Sequence, residues 1–404
     1  MLSQSNISIP ETLMFFKNKG VKVAFIVPTQ TGLNKSIMDA TSGLRLFLKS
    51  NKIHDFDSQP QGTEYKKLLP TLLFSKEEVV DTSISLYRPE TKAGDPRVWI
   101  YDLKRYSSVG DLIAIINSET KLVAINCSNC DLESLFNNYS NELNKILSHK
   151  IAILSPVAAV LLEKLRVINR MGYVSTLRSG DTGVGYTLET LLGISANSSK
   201  APDYEGIEIK SGRIGRNRAS QTTVFSQVPV WAESNLKSSY EVLEKRGRYN
   251  VVKERNQLFH EISCKSPNSY SMQLELDESD GKLHQFFLFQ DGDNTRKDYD
   301  VFWLLETLIS RIEQKHAETF WVYAETRRLG GVEEFKYSKA KHTKGVDPSA
   351  VAILLESGFM TVHYLIKQLP SGAAKDQGYL FKMAPKYIPM LFENVTNYDL
   401  GAYD

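Results

Sequence analysis

Cysteine is scarce in this chain, with three residues in 404, too few for the disulfide framework that holds small secreted domains together. Two of them form Cys127-Ser128-Asn129-Cys130, but no second pair stands at zinc-site spacing. The expectation is therefore a pair of thiols closing the apolar stretch 122–126 in a reducing cytoplasm. Histidine is also sparse, at seven, and none belongs to a His-Glu-x-x-His arrangement, which removes the zinc-hydrolase pattern. Long hydrophobic runs are missing: the longest, residues 151–162, is interrupted by Ser155 and Pro156 and ends at Glu163-Lys164. That falls short of the ~20 apolar residues that cross a bilayer. No basic segment leads into an apolar core near the first residues, so a cytoplasmic protein without a membrane partner is expected. A charge excess is lacking too, since 49 Lys and Arg against 47 Asp and Glu leave a formal net charge of +2. A function on a polyanion must then gather its basic residues locally.

What is present suggests two domains with a boundary near residue 150. Residues 21–27, 68–74, 84–87, 98–101, 112–116 and 122–125 are short apolar stretches separated by turn residues, the pattern of a mostly β domain. Residues 33–48 carry an incomplete helical stripe in Ile37, Leu44 and Leu48. The polar segment 131–150, with scattered leucine and isoleucine, reads as a helical connector, after which a new apolar segment begins at Ile151. The expected organisation is 1–150, mostly β, followed by a second, larger domain over 151–404.

The chemistry concentrates in Pro202-Asp203-Tyr204-Glu205-Gly206-Ile207-Glu208-Ile209-Lys210. Alternation with period two puts Glu208 and Lys210 on one face of a strand and Ile207 and Ile209 on the other. Pro202 biases the preceding backbone away from helix, so a turn can carry the Asp203 carboxylate to Glu208. Two hard oxygen donors suit Mg2+, with Mn2+ as a substitute, because such an ion keeps several waters and leaves positions for phosphate oxygens. A divalent ion acidifies water and neutralises charge on a phosphate. Lys210, with an ordinary pKa of about 10.4, stays protonated there and would position the water or stabilise an oxyanion. A half-exposed strand with alternating charges produces the same residues, and that reading stands beside the catalytic one.

Upstream, Arg178-Ser179-Gly180-Asp181-Thr182-Gly183-Val184-Gly185-Tyr186-Thr187-Leu188-Glu189-Thr190-Leu191-Leu192-Gly193 reads as a glycine-rich loop entering a short helix. Tyr186 or Thr187 opens it, Leu188, Leu191 and Leu192 form its apolar stripe, and Gly193 caps it. Glu189 is either solvated or directed at a neighbouring site. A phosphate-cradle reading of Gly183 and Gly185 lacks both the preceding apolar strand and the Lys-Ser/Thr of a P-loop.

Loop, helix and strand in this order resemble the MvaI/BcnI family of restriction endonucleases, whose relatives include the mismatch-repair nickase MutH. The resemblance rests on Gly183 to Glu189, Leu192-Gly193-Ile194 and Pro202-Asp203 through Lys210, and it continues in 220–226, in Asn268-Ser269-Tyr270 and in Asp376-Gln377-Gly378 to Phe381-Lys382. It implies an α/β PD-(D/E)XK nuclease core, a mixed central sheet flanked by helices, over roughly 155–395. Asp203, Glu208 and Lys210 then match the catalytic triplet, with Asp203 and Glu208 as metal ligands, and Glu189 matches a supporting helix glutamate. The implied activity is Mg2+-dependent, sequence-specific cleavage of double-stranded DNA by a type II enzyme in phage defence. Its implied partner is a separately encoded cognate methyltransferase, and it works as a monomer or dimer. A MutH-like nickase or relaxed-specificity defence nuclease is the alternative enzyme, and an inactive DNA-binding protein on the same scaffold the alternative from another class.

Candidate DNA contacts fall in three places. Arg213, Arg216 and Arg218 follow the catalytic strand and suit phosphate contact, with a solvated loop as the plain alternative. In the C-terminal segment, Asp376, Gln377 and Lys382 occupy the resemblance's recognition positions. Family members carry His after the Asp and an Arg nearby, whereas here Gln suits adenine and Lys suits guanine; an ordinary polar hairpin flank fits these residues equally well. The N-terminal residues Arg88, Lys92, Arg97, Lys104 and Arg105 surround a tight turn in an order that resembles the effector-binding β-barrel of EcoRII-type endonucleases. A protein-interaction module is the competing reading.

Overall fold

The computed structural model describes residues 8–76, 78–91, 94–118, 121–137, 143, 154–194, 202–215, 221–277 and 280–402. The chain forms two compact units, one from Met1–His149, Val228–Glu306 and Asp347–Tyr379, the other from Lys150–Gln227, Thr307–Val346 and Leu380–Asp404.

In the first unit a seven-stranded sheet runs in the order Ala24–Ile26, Ile113–Asn117, Leu122–Asn126, Lys67–Phe74, Val79–Tyr87, Arg97–Ile100, Met38–Asp39. Its neighbours are antiparallel except Lys67–Phe74 beside Leu122–Asn126, which are parallel. Each apolar stretch read from the sequence in this region is a strand, because the stretches are short, β-branched and bounded by turn residues. The helix expected over 33–48 is instead broken. Gln30–Lys35 stops where Ser36 adopts a left-handed conformation, and a new helix, Ser42–Ser50, starts with Thr41 Oγ1 accepting from Leu44 N at 3.2 Å. Threonine capping thus competes successfully with a continuous helix. Of the expected connector, Leu132–Asn137 is helical, while 138–142 and 144–150 lie outside the described residues.

The later segments add further layers to this unit. Met272–Asp277, Lys282–Asp291 and Asn294–Leu304 form an antiparallel three-stranded sheet, and Arg248–Asn250, Arg255–Ile262 and Met360–Gln368 form another antiparallel array. The helix Pro348–Glu356 is buried from Ser349 through Leu355 and packs on Ser42–Ser50. An apolar circumference of this kind is stable only when protein covers every side.

The second unit is built on the strands Phe392–Asp399, Val332–Val346, Glu318–Leu329 and Glu208–Arg213, in that order, with Val174–Ser175 also paired to Val332–Val346. Three of the four are antiparallel, and Glu208–Arg213 runs parallel to Glu318–Leu329. The helices Pro156–Arg170 and Gly183–Leu191 pack on this mixed sheet through Leu161, Leu165, Leu188, Ile209, Phe320 and Val322. This is the expected α/β core, a mixed sheet flanked by helices.

Candidate active site

The local geometry around Asp203 is set by a two-residue turn. Glu205 and Gly206 both have positive φ, 45° and 89°, and Tyr204 and Ile207 exchange backbone hydrogen bonds of 2.9 and 2.8 Å. Positive φ at both central positions is the primed-turn geometry, in which glycine is nearly free of strain. The reversal lays Asp203 along the strand it precedes, where Oδ2 accepts from Ile209 N at 3.0 Å. Ile207 and Ile209 are buried at 2% and 4% exposure, anchoring the strand, and Glu208 is as buried at 2%. A carboxylate that deep needs a cation, and Glu208 has two: it is ion-paired with Lys210, and its Oε1 lies 3.4 Å from Lys315 Nζ. Register fixes the pair on the sheet, Glu208 opposite Thr319 and Lys210 opposite Trp321.

Glu189 reaches the same place from the helix Gly183–Leu191. A methyl group at Gly185 would meet Ser211 Oγ at 3.4 Å and Glu189 Oε1 at 3.7 Å, so the glutamate and the strand converge over that turn. The helix begins earlier than its stripe suggests, at Gly183, where any side chain would strike the Arg178 carbonyl oxygen at 2.4 Å. Gly193, with φ 76°, ends it as expected. Arg178 stacks 3.9 Å over the Tyr186 ring, and its charge acts on Glu189.

The electrostatics are those of crowded anions. Burial, then the charge of Asp203, pushes Glu189 above the ordinary carboxylate range against the pull of Lys210 and Arg178. Burial also raises Asp203, with Glu208 adding to it, against the hydrogen bond from Ile209 N and the charges of Lys210 and Lys315. Carboxylates that repel one another are relieved by a multivalent cation. Among the described residues no set of three His, Cys, Asp or Glu side chains stands at ligand spacing. Asp203 and Glu208 alone offer two carboxylates here, a pair whose chemistry would suit a hard ion that retains waters and takes further oxygens from its substrate.

Other residues singled out from the sequence stand elsewhere. The Arg213 guanidinium is filled internally, with Nε and Nη2 each 2.8 Å from Glu333 and Nη1 and Nη2 each 3.0 Å from the carbonyls of Asp181 and Gly180; it staples the glycine loop to the sheet. Arg216, Arg218 and Lys92 lie outside the described residues. Arg88 donates to Gly94 O at 2.8 Å and Gln59 O at 3.2 Å, and Arg97 is ion-paired with Asp39. Lys104 donates to Asn34 O at 3.1 Å, while Arg105 is exposed, 3.5 Å from Glu78. In the strand Ala374–Met383, Asp376 accepts from Ser239 Oγ at 2.7 Å, Gln377 is exposed, and Lys382 is half-buried opposite Thr223. The Cys127 thiol, pushed up to about 12 by burial, and Cys130, to about 11, are free and protonated near neutrality.

Two neighbours of the site escaped the sequence reading. Lys315 and His316 end the helix Leu305–His316, and their only local signal is the common placement of cations in a last turn. Their relation to Glu208 arises because the next strand, Glu318–Leu329, is the one beside Glu208–Arg213.

Comparison with known proteins gives a consistent picture. The model of the MvaI/BcnI restriction endonuclease family matches residues 162–392, more than half of the chain. Among solved structures, restriction endonuclease MvaI in complex with its cognate DNA substrate is similar at 22% identity over 61% of this chain and 99% of that one, with a TM-score of 0.52. MvaI without DNA shares the same identity and coverage at a TM-score of 0.40. A search of the curated proteins finds no match.

Proposed function

The chain belongs to the MvaI/BcnI restriction endonuclease family, and from that premise we propose that it is a type II, Mg2+-dependent, sequence-specific endonuclease acting on double-stranded DNA. The observation that carries the proposal is the convergence of Asp203, Glu208, Lys210 and Glu189 on one strand and one helix turn, with Lys315 on the same carboxylate. Asp203 and Glu208 would hold the divalent ion, which when bound supplies Lewis-acid activation of water and of the scissile phosphate. Lys210 and Lys315 place two ammonium groups where negative charge grows on the phosphoryl oxygens as water attacks phosphorus and the bridging P–O bond breaks. Glu189, made more basic than a solvated carboxylate, supports the site as a proton acceptor for that water. Arg213 acts through the loop it staples rather than on phosphate. A cognate methyltransferase encoded apart from this chain would protect host sites.

Incubating the purified protein with unmethylated plasmid, with Mg2+, with Mn2+ and with EDTA, then sequencing the ends, tests this reading. Discrete fragments with the metals and intact plasmid with EDTA are expected. Asp203→Ala should bring cleavage below detection while a gel shift still records binding; cutting by that variant at the unaltered rate refutes the site assignment.

A further inference from the structure

The hairpin that joins Arg248–Asn250 to Arg255–Ile262 carries two valines at its tip, Val251 and Val252, exposed at 78% and 87%. No other large hydrophobic among the described residues is as exposed. Hairpin tips are ordinarily Gly, Asn, Asp or Ser, which serve the turn or the solvent, and valine serves neither. The tip nevertheless has a fixed shape. Asn250 Oδ1 accepts from Lys253 N at 2.9 Å, Glu254 takes a left-handed φ of 47°, and the strands pair in register, Arg248 with Gln257 and Asn250 with Arg255.

That register places Arg248 and Arg255 on one face of the hairpin together with Phe259, which is 41% exposed. The Arg248 guanidinium lies 3.8 Å over the Tyr270 ring and donates to Ser269 O at 3.4 Å, so it is oriented before any ligand arrives. Lys253 adds a third cation at the tip, and Glu254 is the one acidic residue from 248 to 260. An apolar tip with two arginines on one face and a lysine in the turn is complementary to a polyanion with an apolar interior, which describes stacked bases between phosphate backbones.

We propose that this hairpin is a DNA wedge, with Val251 and Val252 entering a base step while Arg248, Lys253 and Arg255 hold the flanking phosphates. The inference rests on the endonuclease reading, because it takes DNA as the ligand. Apolar side chains inserted in this way unstack and unwind the duplex, a change that phosphate contacts alone do not require.

The test uses the full-length chain on closed-circular plasmid in EDTA, relaxed by a metal-independent type IB topoisomerase while the protein is bound. The wedge leaves the plasmid with a reduced linking number and permanganate-reactive thymines. The Val251→Ser/Val252→Ser double variant should lose both signals with thermal melting unchanged, while a gel shift still records binding through the remaining cations. Arg248→Gln/Arg255→Gln should instead weaken binding and flatten the dependence of log affinity on log salt by about two, near one for each phosphate no longer neutralised. Binding without any topological shift, or an equal shift from the valine variant, overturns the wedge and leaves the endonuclease reading standing. Absence of both DNA binding and metal-dependent cleavage in the unaltered chain overturns both.

Discussion

His316, the last residue of the helix that carries Lys315, is fully buried against the strand beside Glu208–Arg213. Its Nε2 lies 2.8 Å from Val224 O and its Nδ1 3.0 Å from Thr319 Oγ1, with the ring stacked on Trp321. A carbonyl only accepts, so Nε2 bears the proton and Nδ1 accepts from the threonine hydroxyl. Burial, helped by the charges of Lys210 and Lys315, lowers this histidine to about 4. Between that value and the unfolded value near 6.5 the unfolded chain binds the extra proton. The contribution is thus complete above about pH 6.5 and lost as pH falls toward 4, by roughly 3 kcal/mol. Denaturant unfolding from pH 7.5 to 4.5 should show stability falling along that window, and His316→Gln should flatten the fall; an identical slope in the variant would exclude His316 as its source. Asp203, Glu208 and Lys210 were legible in the sequence because a tight turn and a period-two strand act over a few residues. His316 and Lys315 were not, because their roles depend on which strand lies next to Glu208–Arg213.

At the scale of elements, the helix Pro348–Glu356 shows how one ion pair fixes a distant segment. Asp347 caps it, accepting from Ser349 N at 3.1 Å, and is ion-paired with Lys17 of the helix Ile9–Asn18, with side-chain exposures of 2% and 4%. Burial alone would raise Asp347; the Lys17 charge and hydrogen bond, with Ser349 and Lys22, outweigh it and hold the carboxyl low. Removing one partner strands the other in a dry interior, so Lys17→Met should destabilise the protein by about 3–5 kcal/mol. Lys17→Met with Asp347→Asn should recover part of that, and both can be read from urea midpoints. A single variant within 1 kcal/mol of the unaltered chain would contradict the buried pairing, since ion pairs at the surface are worth about that much. Elements were more legible than their limits: the strands of the N-terminal region followed from short β-branched runs. The break at Ser36 and Thr41 did not, because a cap and one left-handed residue overrode an apolar stripe.

For the whole molecule, the decisive feature is that the first compact unit is discontinuous. The helix Pro348–Glu356 packs on Ser42–Ser50, and Ser349 Oγ donates to Val23 O at 3.4 Å, so residues 1–149 alone would leave an apolar face uncovered. That fragment should melt without cooperativity and bind a hydrophobic dye, whereas a cooperative transition at the temperature of the full chain would show that it needs no later segment. The sequence by itself determined the strands near the amino terminus and the turn and strand that carry Asp203, Glu208 and Lys210, because these depend on alternation, turns and capping within a few residues, while the mixed α/β core was legible through the resemblance of its motifs to a known family. Only the tertiary structure decided that Lys315 joins Glu208, that Arg213 staples a loop, and that the chain returns twice to its first unit. Those outcomes depend on strand order and on which buried group meets which, and pairings between residues far apart along the chain leave no local pattern.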